Sequence, residues 1–235
     1  LATILCSNKA NIFSKHLISI FIIALISLLL IFQPDIGQTL LVLFSWTVLI
    51  FTSGINLYLL ISIFLFGSLF LAYLIIFVPK FDYIQGRIFS FFNRETGSHN
   101  FQSDKAIDSI TSGGFFGKGM GEGTLKNSVP EAHTDYIISV ISEEFGVVAI
   151  MLILLLFLMF IYMVFKKINF ETNDKIKLIL IGSISLILMQ ATIHIGVNIR
   201  LFPTTGMTLP FLSYGGSSIV STSILAGIIL NLTKR

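Results

Sequence analysis

The chain has 235 residues, of which 54% are hydrophobic and only 11% charged, with a formal net charge of +3; mean hydropathy is +0.92. This composition excludes an ordinary soluble domain, and because the basic residues sit between apolar runs, the charge is no argument for a nucleic-acid partner. The single cysteine, Cys6, excludes an internal disulfide and a multi-cysteine metal centre.

Apolar runs of this length cross a bilayer only as helices, since lipid offers no partner for backbone N–H and C=O groups. The alternating pattern of a membrane barrel is absent. The expected fold is therefore all-α: a polytopic helical membrane protein with about six transmembrane helices and the end of a seventh. It reads as a single integral domain over residues 1–235 with one long extracytoplasmic loop.

Leu1 to Cys6 read as the tail of an apolar helix, so further spans are expected upstream. The predicted spans cover residues 17–32, 39–52, 57–78, 137–165, 178–199 and 210–232. Gln33-Pro34-Asp35-Ile36-Gly37 breaks the first from the second, with Asp35 as a helix cap. Residues 53–56 form a turn. Residues 79–136 form the long loop, which holds most of the charge. Its start carries Asp82, Arg87 and Arg94 among aromatics and reads as an amphipathic piece on the membrane surface.

Orientation follows from the short loops. Lys166, Lys167, Lys175 and Lys177 are assigned to the cytoplasm; alternation then takes Lys9, Lys15, Lys234 and Arg235 to the same side and the long loop outside. The fourth span, residues 137–165, would be about 43 Å long as one helix against a hydrocarbon core of about 30 Å. It is expected to tilt or protrude, lifting Glu143 and Glu144 towards the headgroups, with Thr134 or Asp135 as its N-cap.

Three stretches carry candidate chemistry. Glu131, His133 and Asp135 form an ionisable cluster at the mouth of the fourth span. A carboxylate beside a low-dielectric surface has a raised pKa and suits general-base work. On chemistry alone, helix capping and a catalytic site both remain open for Asp135. The glycine-rich run from Gly113 to Gly123 is neither a Walker loop nor a dinucleotide fingerprint. It reads either as a flexible loop or as a backbone nest that, with Lys118 and Lys126, holds an anionic phosphate. Residues 203–218, Pro-Thr-Thr-Gly-Met-Thr-Leu-Pro-Phe-Leu-Ser-Tyr-Gly-Gly-Ser-Ser, allow irregular backbone at the membrane boundary and close helix approach. His194, inside the fifth span, reads as a satisfied packing residue rather than a proton relay.

Together, Gln33-Pro34-Asp35-Ile36-Gly37, residues 113–123, Pro130-Glu131-Ala132-His133-Thr134-Asp135 followed by Glu143-Glu144-Phe145-Gly146, and residues 203–218 resemble the FtsW/RodA/SpoVE (SEDS) family, in order and over essentially the whole chain. Ala132, Lys118-Gly119 and Met207-Thr208-Leu209-Pro210-Phe211 resemble its division branch more than its elongation branch. The resemblance implies a peptidoglycan glycosyltransferase that polymerises lipid II during septal cell-wall synthesis. It implies that Asp135 is the general base, taking the proton from the acceptor 4-hydroxyl while undecaprenyl diphosphate leaves. Glu131, His133, Ser213 and Tyr214 are candidate substrate-binding residues. Arg87, Lys118, Gly119 and Gly121 are candidates for the diphosphate on grounds of charge and backbone N–H groups. The implied partners are a class B penicillin-binding protein transpeptidase, other division proteins and membrane lipids, and the implied location is the bacterial cytoplasmic membrane with an extracytoplasmic active face. No metal-binding residues are assigned, and a divalent-cation requirement stays open.

Four departures stand out from the resemblance: Asn127, His194 and Thr205 replace a frequent glutamate, asparagine and lysine, and the family has ten spans where this chain shows six and the end of a seventh. Two alternatives follow. A lipid II flippase would use the interrupted sixth span and His194. A non-catalytic division scaffold would follow if the upstream spans do not exist.

Overall fold

A computed structural model of the chain describes residues 1–6, 12–92 and 98–234, and no strand occurs among them. The helices are α1 (Ala2–Leu5), α2 (Ile12–Phe32), α3 (Ile36–Thr52), α4 (Leu57–Phe77), α5 (Asp82–Phe92), α6 (Ser98–Gly113), α7 (Ile137–Phe170), α8 (Asp174–Asn198) and α9 (Gly216–Thr233), with short 3-10 turns at Pro79–Phe81 and Leu125–Ser128. Lys9, Arg94 and Arg235 lie outside the described residues.

Among the described residues, five helical segments are long and apolar enough to cross a bilayer: Ser14–Phe32, Leu57–Phe77, Ile137–Phe170, Asp174–Asn198 and Gly216–Thr233. The shorter α3, at 17 residues, is the sixth expected span; at about 1.5 Å per residue it reaches about 26 Å, near the thickness of a thin bilayer. Helix α4 buries none of its side chains. An all-apolar helix with no buried face has lipid or further helices as its natural surroundings.

The chain divides into two compact units. The first contains residues 1–85, 164–189 and 226–235. Its core is Leu5, Ile23, Trp46, Leu49, Ile50 and Leu178. Two polar contacts cross this apolar packing. Trp46 Nε1 donates to Ser19 Oγ at 2.9 Å, and the hydroxyls of Ser45 and Ser185 are 3.3 Å apart. Asp35 caps α3 as expected, accepting from the Gln38 N–H at 2.9 Å. Asn56 caps α4 by accepting from the Tyr58 N–H at 3.0 Å.

The second unit contains residues 86–163 and 190–225. Here the structure changes three expectations. The first concerns the long loop, which is largely helical. Helix α6 was not visible as a span because it is polar. It packs by small residues three apart, the buried Ser103, Ala106 and Ser109, and so approaches the start of α7 closely. The Ser109 hydroxyl lies 3.3 Å from the Ser139 carbonyl, and a Cβ on Gly113 would fall 1.9 Å from the Ser142 carbonyl oxygen.

The second correction concerns the fourth span. It is longer than expected, ending at Phe170, and it is not one continuous helix: Gly146 interrupts it with φ 77° and ψ −178°. Chain from the glycine loop fills the interruption. Lys118 N–H donates to the Glu143 carbonyl at 2.9 Å and Gly119 N–H to that of Glu144 at 3.0 Å. In return Val147 N–H donates to the Gly114 carbonyl at 3.0 Å and Val148 N–H to that of Phe115 at 3.2 Å. Backbone groups freed at a helix break in an apolar setting need such partners. A Cβ on Gly146 would lie 2.2 Å from the Phe115 carbonyl oxygen, so glycine is demanded by space as well as by φ. The segment of residues 147–170 is then about 36 Å long, close to the hydrocarbon thickness.

Neither Thr134 nor Asp135 is the residue from which α7 starts. The Tyr136 carbonyl receives the N–H groups of Ser139 and Val140 at 3.0 and 3.4 Å. The Thr134 hydroxyl instead donates to Glu131.

Candidate active site

The segment before α7 is a tight turn built on one carbonyl. Glu131 has φ 53°. Its carbonyl receives the N–H groups of Thr134, Asp135 and Tyr136 at 3.2, 3.0 and 3.4 Å. Val129, Ala132 and Tyr136 are buried and anchor the turn. The carboxylates of Glu131 and Asp135 thereby face one cavity of about 300 Å³, lined also by Arg87, Gln102, Tyr136, Val197, Thr204, Gly206 and Met207.

Helix α5 supplies Arg87, whose Nη1 donates to the Thr204 carbonyl at 3.1 Å. This bond ties the arginine to the irregular segment of residues 203–215. That segment is held from α8: Gln190 Nε2 donates to the Thr208 carbonyl at 2.9 Å, and His194 Nδ1 contacts the Met207 carbonyl at 2.7 Å. Gly206, at φ 72°, brings bare backbone to the carboxylate; a Cβ there would be 3.6 Å from Asp135 Oδ2.

Electrostatics favour a basic Asp135. Burial raises its pKa first, and the neighbouring Glu131 carboxylate raises it further. The Thr134 hydroxyl and the Arg87 guanidinium oppose the rise, and the net direction is upward. Burial likewise pushes the Tyr136 phenol up to about 12, so that phenol stays protonated at neutral pH.

The other expected site residues fall into three groups. His133 and Tyr214 meet at a second hollow of about 390 Å³, mostly apolar, completed by Ile137 and Leu212; the Tyr214 N–H donates to the His133 carbonyl at 2.9 Å. Ser213 is buried within the irregular segment, and its Oγ accepts from the Leu209 N–H at 2.8 Å. Lys118, Gly119 and Gly121 belong to a clasp around Glu143 and Glu144. Glu143 accepts from Lys118 Nζ at 3.2 Å, Ser109 Oγ at 3.1 Å, Leu125 N–H at 3.0 Å and Lys126 N–H at 2.7 Å. Glu144 pairs with Lys126 and accepts from the Gly121 N–H at 3.2 Å.

Gln102, Thr204 and Gly206 line the Asp135 cavity without having been expected as site residues. Thr204 and Gly206 lie in the Pro203–Ser218 stretch that carried a signal, whereas Gln102 sits on the unrecognised α6. Among the described residues, no three His, Cys, Asp or Glu side chains gather to hold a metal ion; Glu131 and Asp135 offer two carboxylates to the shared cavity.

Known proteins share this architecture. The family model described as cell cycle protein, FtsW/RodA/SpoVE, matches residues 1–235. The probable peptidoglycan glycosyltransferase FtsW of Caulobacter vibrioides (strain NA1000 / CB15N) is 34% identical over 88% of this chain and 52% of its own length. That of Enterococcus hirae is 32% identical over 97% of this chain and 61% of its own length. The chain thus spans little more than half the length of these curated relatives. A solved structure concerning the coordination of polymerization and crosslinking by a peptidoglycan synthase complex matches with a TM-score of 0.78 at 24% identity, over 99% of this chain and 65% of that one, which is a likeness of fold. The rod shape determining protein RodA of Thermus thermophilus, solved as a point variant, matches with a TM-score of 0.64 at 26% identity, over 99% of this chain and 60% of that one. The chain, an all-helical membrane protein, belongs to the FtsW/RodA/SpoVE family.

Proposed function

We propose that this chain, within its full-length protein, polymerises lipid II into glycan strands for septal cell-wall synthesis, with Asp135 as the general base. The observation that carries the reading is the Asp135 carboxylate itself. It is half-buried, raised in pKa, and set in a cavity with a cation (Arg87) on the wall. A base for a sugar hydroxyl gains proton affinity from such an environment. The acceptor 4-hydroxyl gives its proton to Asp135 as its oxygen bonds to the donor's anomeric carbon, and the bond from that carbon to the undecaprenyl diphosphate breaks. Arg87 is the cation nearest to hand for the departing diphosphate. Glu131 keeps Asp135 basic by like-charge repulsion. The apolar hollow at His133 and Tyr214 suits the polyprenyl chain or a sugar face. Lys118, Gly119 and Gly121 act at one remove through the Glu143–Glu144 clasp, and Ser213 by holding the bend.

The active face is the extracytoplasmic side of the bacterial cytoplasmic membrane. Lys166, Lys167, Lys175 and Lys177 at the far ends of α7 and α8 support this orientation through the positive-inside rule. A class B penicillin-binding protein is the expected partner, in line with the related synthase complex that couples polymerization to crosslinking.

The test is polymerisation of lipid II by the purified full-length protein with its transpeptidase. Asp135→Asn is expected to lower turnover by about 10²–10⁴-fold with the amount of folded protein unchanged. Full activity in that variant overturns the assignment.

A further inference from the structure

Helix α8 is polar where it passes the cavity. His194 and Asn198, one turn apart on one face, are both 0% exposed. A polar pair in a span of mean hydropathy 2.0 carries a desolvation cost that apolar residues would avoid. Their hydrogen bonds are directed. A carbonyl can only accept, so His194 Nδ1, 2.7 Å from the Met207 carbonyl, carries the ring proton. Asn198 Nδ2 donates to the backbone carbonyl of Asp135 at 3.0 Å and to that of His194 at 2.9 Å. Both of its partners are acceptors, which fixes which end of the amide is nitrogen. The remaining acceptors, His194 Nε2 and Asn198 Oδ1, are buried with no hydrogen-bond partner among the described residues.

Two walls of the cavity thus hang from adjacent turns of α8. One is the Asp135 turn, strapped by Asn198. The other is the Gly206–Met207 backbone, held by His194, whose Gly206 stands beside Asp135 Oδ2. We propose that Asn198 is a positioning residue for Asp135, with His194 as its counterpart on the opposite wall, so that one helix face sets the separation between the carboxylate and the backbone facing it. This rests on the reading of Asp135 as general base. A rigid helix is a better ruler than the loops it holds, and a displacement of about 1 Å in a reacting group costs on the order of a hundredfold in rate.

The experiment uses the full-length protein with its transpeptidase and lipid II, comparing Asn198→Ala, Asn198→Asp and Asn198→Gln. Alanine and aspartate lack the amide N–H donors; glutamine keeps them on a longer arm. For the first two, kcat is expected to fall about 10- to 100-fold with KM within about twofold, and glutamine is expected to recover part of the loss. A second measurement is independent of turnover: the pH midpoint for carbodiimide modification of Asp135, read by peptide mass spectrometry. The charged groups facing Asp135 are Glu131 and Arg87, with the Tyr136 phenol alongside, and none is altered by the alanine or glutamine substitution, whereas aspartate adds a charge of its own, so the midpoint is read in the first two. The midpoint is expected to move in the alanine variant and to stay near that of the parent in glutamine. An unchanged kcat and midpoint in Asn198→Ala overturn the proposal. So does a loss of activity matched by loss of folded protein, with glutamine no better than alanine. If Asp135→Asn polymerises normally, the general-base reading fails on its own, while the midpoint still reports whether Asn198 holds Asp135.

Discussion

Replacing Glu143 by glutamine tests whether the clasp holds the glycine loop to α7. The side chain is 0% exposed and each carboxylate oxygen accepts two hydrogen bonds. Glutamine keeps the shape, yet one end of its amide donates. With the nitrogen on the Leu125 side, the Lys118 ammonium and the Leu125 N–H both face a donor. With the nitrogen on the Lys126 side, Ser109 can rotate to accept and only the Lys126 N–H is stranded. The second arrangement is the better one. It forfeits a 2.7 Å bond to a charged acceptor, orphans a buried N–H and weakens the remaining bonds by removing the charge. Bonds to charged groups contribute about 1.5–3 kcal/mol each and an unsatisfied buried group costs about 1–3 kcal/mol. The Lys118 contribution is discounted because that side chain is 36% exposed and can turn to water. The loss is about 3 kcal/mol of local stability. At about 1.4 kcal/mol per factor of ten, the Lys126 amide should exchange with deuterium about a hundredfold faster, with Leu125 close behind. Hydrogen exchange by mass spectrometry on protein in lipid nanodiscs reads this directly, with peptides from α4 as the internal control. Exchange within about threefold of the parent at both amides would refute the idea that Glu143 holds the loop.

Three further outcomes follow from the geometry. If Asp135 is the general base proposed above, the polymerisation rate should rise with pH through an apparent pKa raised above the ordinary aspartate value, because a base works when ionised and burial raises this carboxyl; activity is then lost as pH falls through that pKa. Arg87→Gln removes a charge that lowers this pKa, so the acid limb of the profile of kcat/KM should move to higher pH, and a downward move would contradict the assignment. Gly146→Ala places a Cβ 2.2 Å from a carbonyl oxygen at a φ of 77°, so it should cost more than about 2 kcal/mol and lower both yield and thermal stability; a variant as stable as the parent would mean that the break in α7 is not obligatory.

How much of this was legible in the sequence depends on what each residue answers to. Asp35 was read correctly as a cap because capping is local, decided within the next three residues. The spans were legible because hydrophobicity over about 20 residues is a strong signal. The break at Gly146 was not, because apolar residues run on past it and a lone glycine within a helix pattern is usually tolerated. What decides it is a partner some 30 residues upstream, the loop at Phe115–Gly117, which no local pattern encodes. Helix α6 was missed for a related reason. Its buried side is made of Ser103, Ala106 and Ser109, small residues that signal close packing only when the opposing helix is known. Asp135 shows the limit most clearly. Its charge at the entrance of a span left cap and base equally open, and two facts of three-dimensional structure now weigh against the cap. The helix starts at the Tyr136 carbonyl, and the Asp135 side chain faces a cavity shared with Arg87 and Glu131. A carboxylate relieved of capping, half-buried and strapped through its own backbone carbonyl to Asn198, is positioned by its main chain, and the side-chain hydrogen bond from Thr134 that lowers its pKa is outweighed by burial and by Glu131. That balance is what a base requires, since its oxygens must gain proton affinity on net while the residue stays fixed.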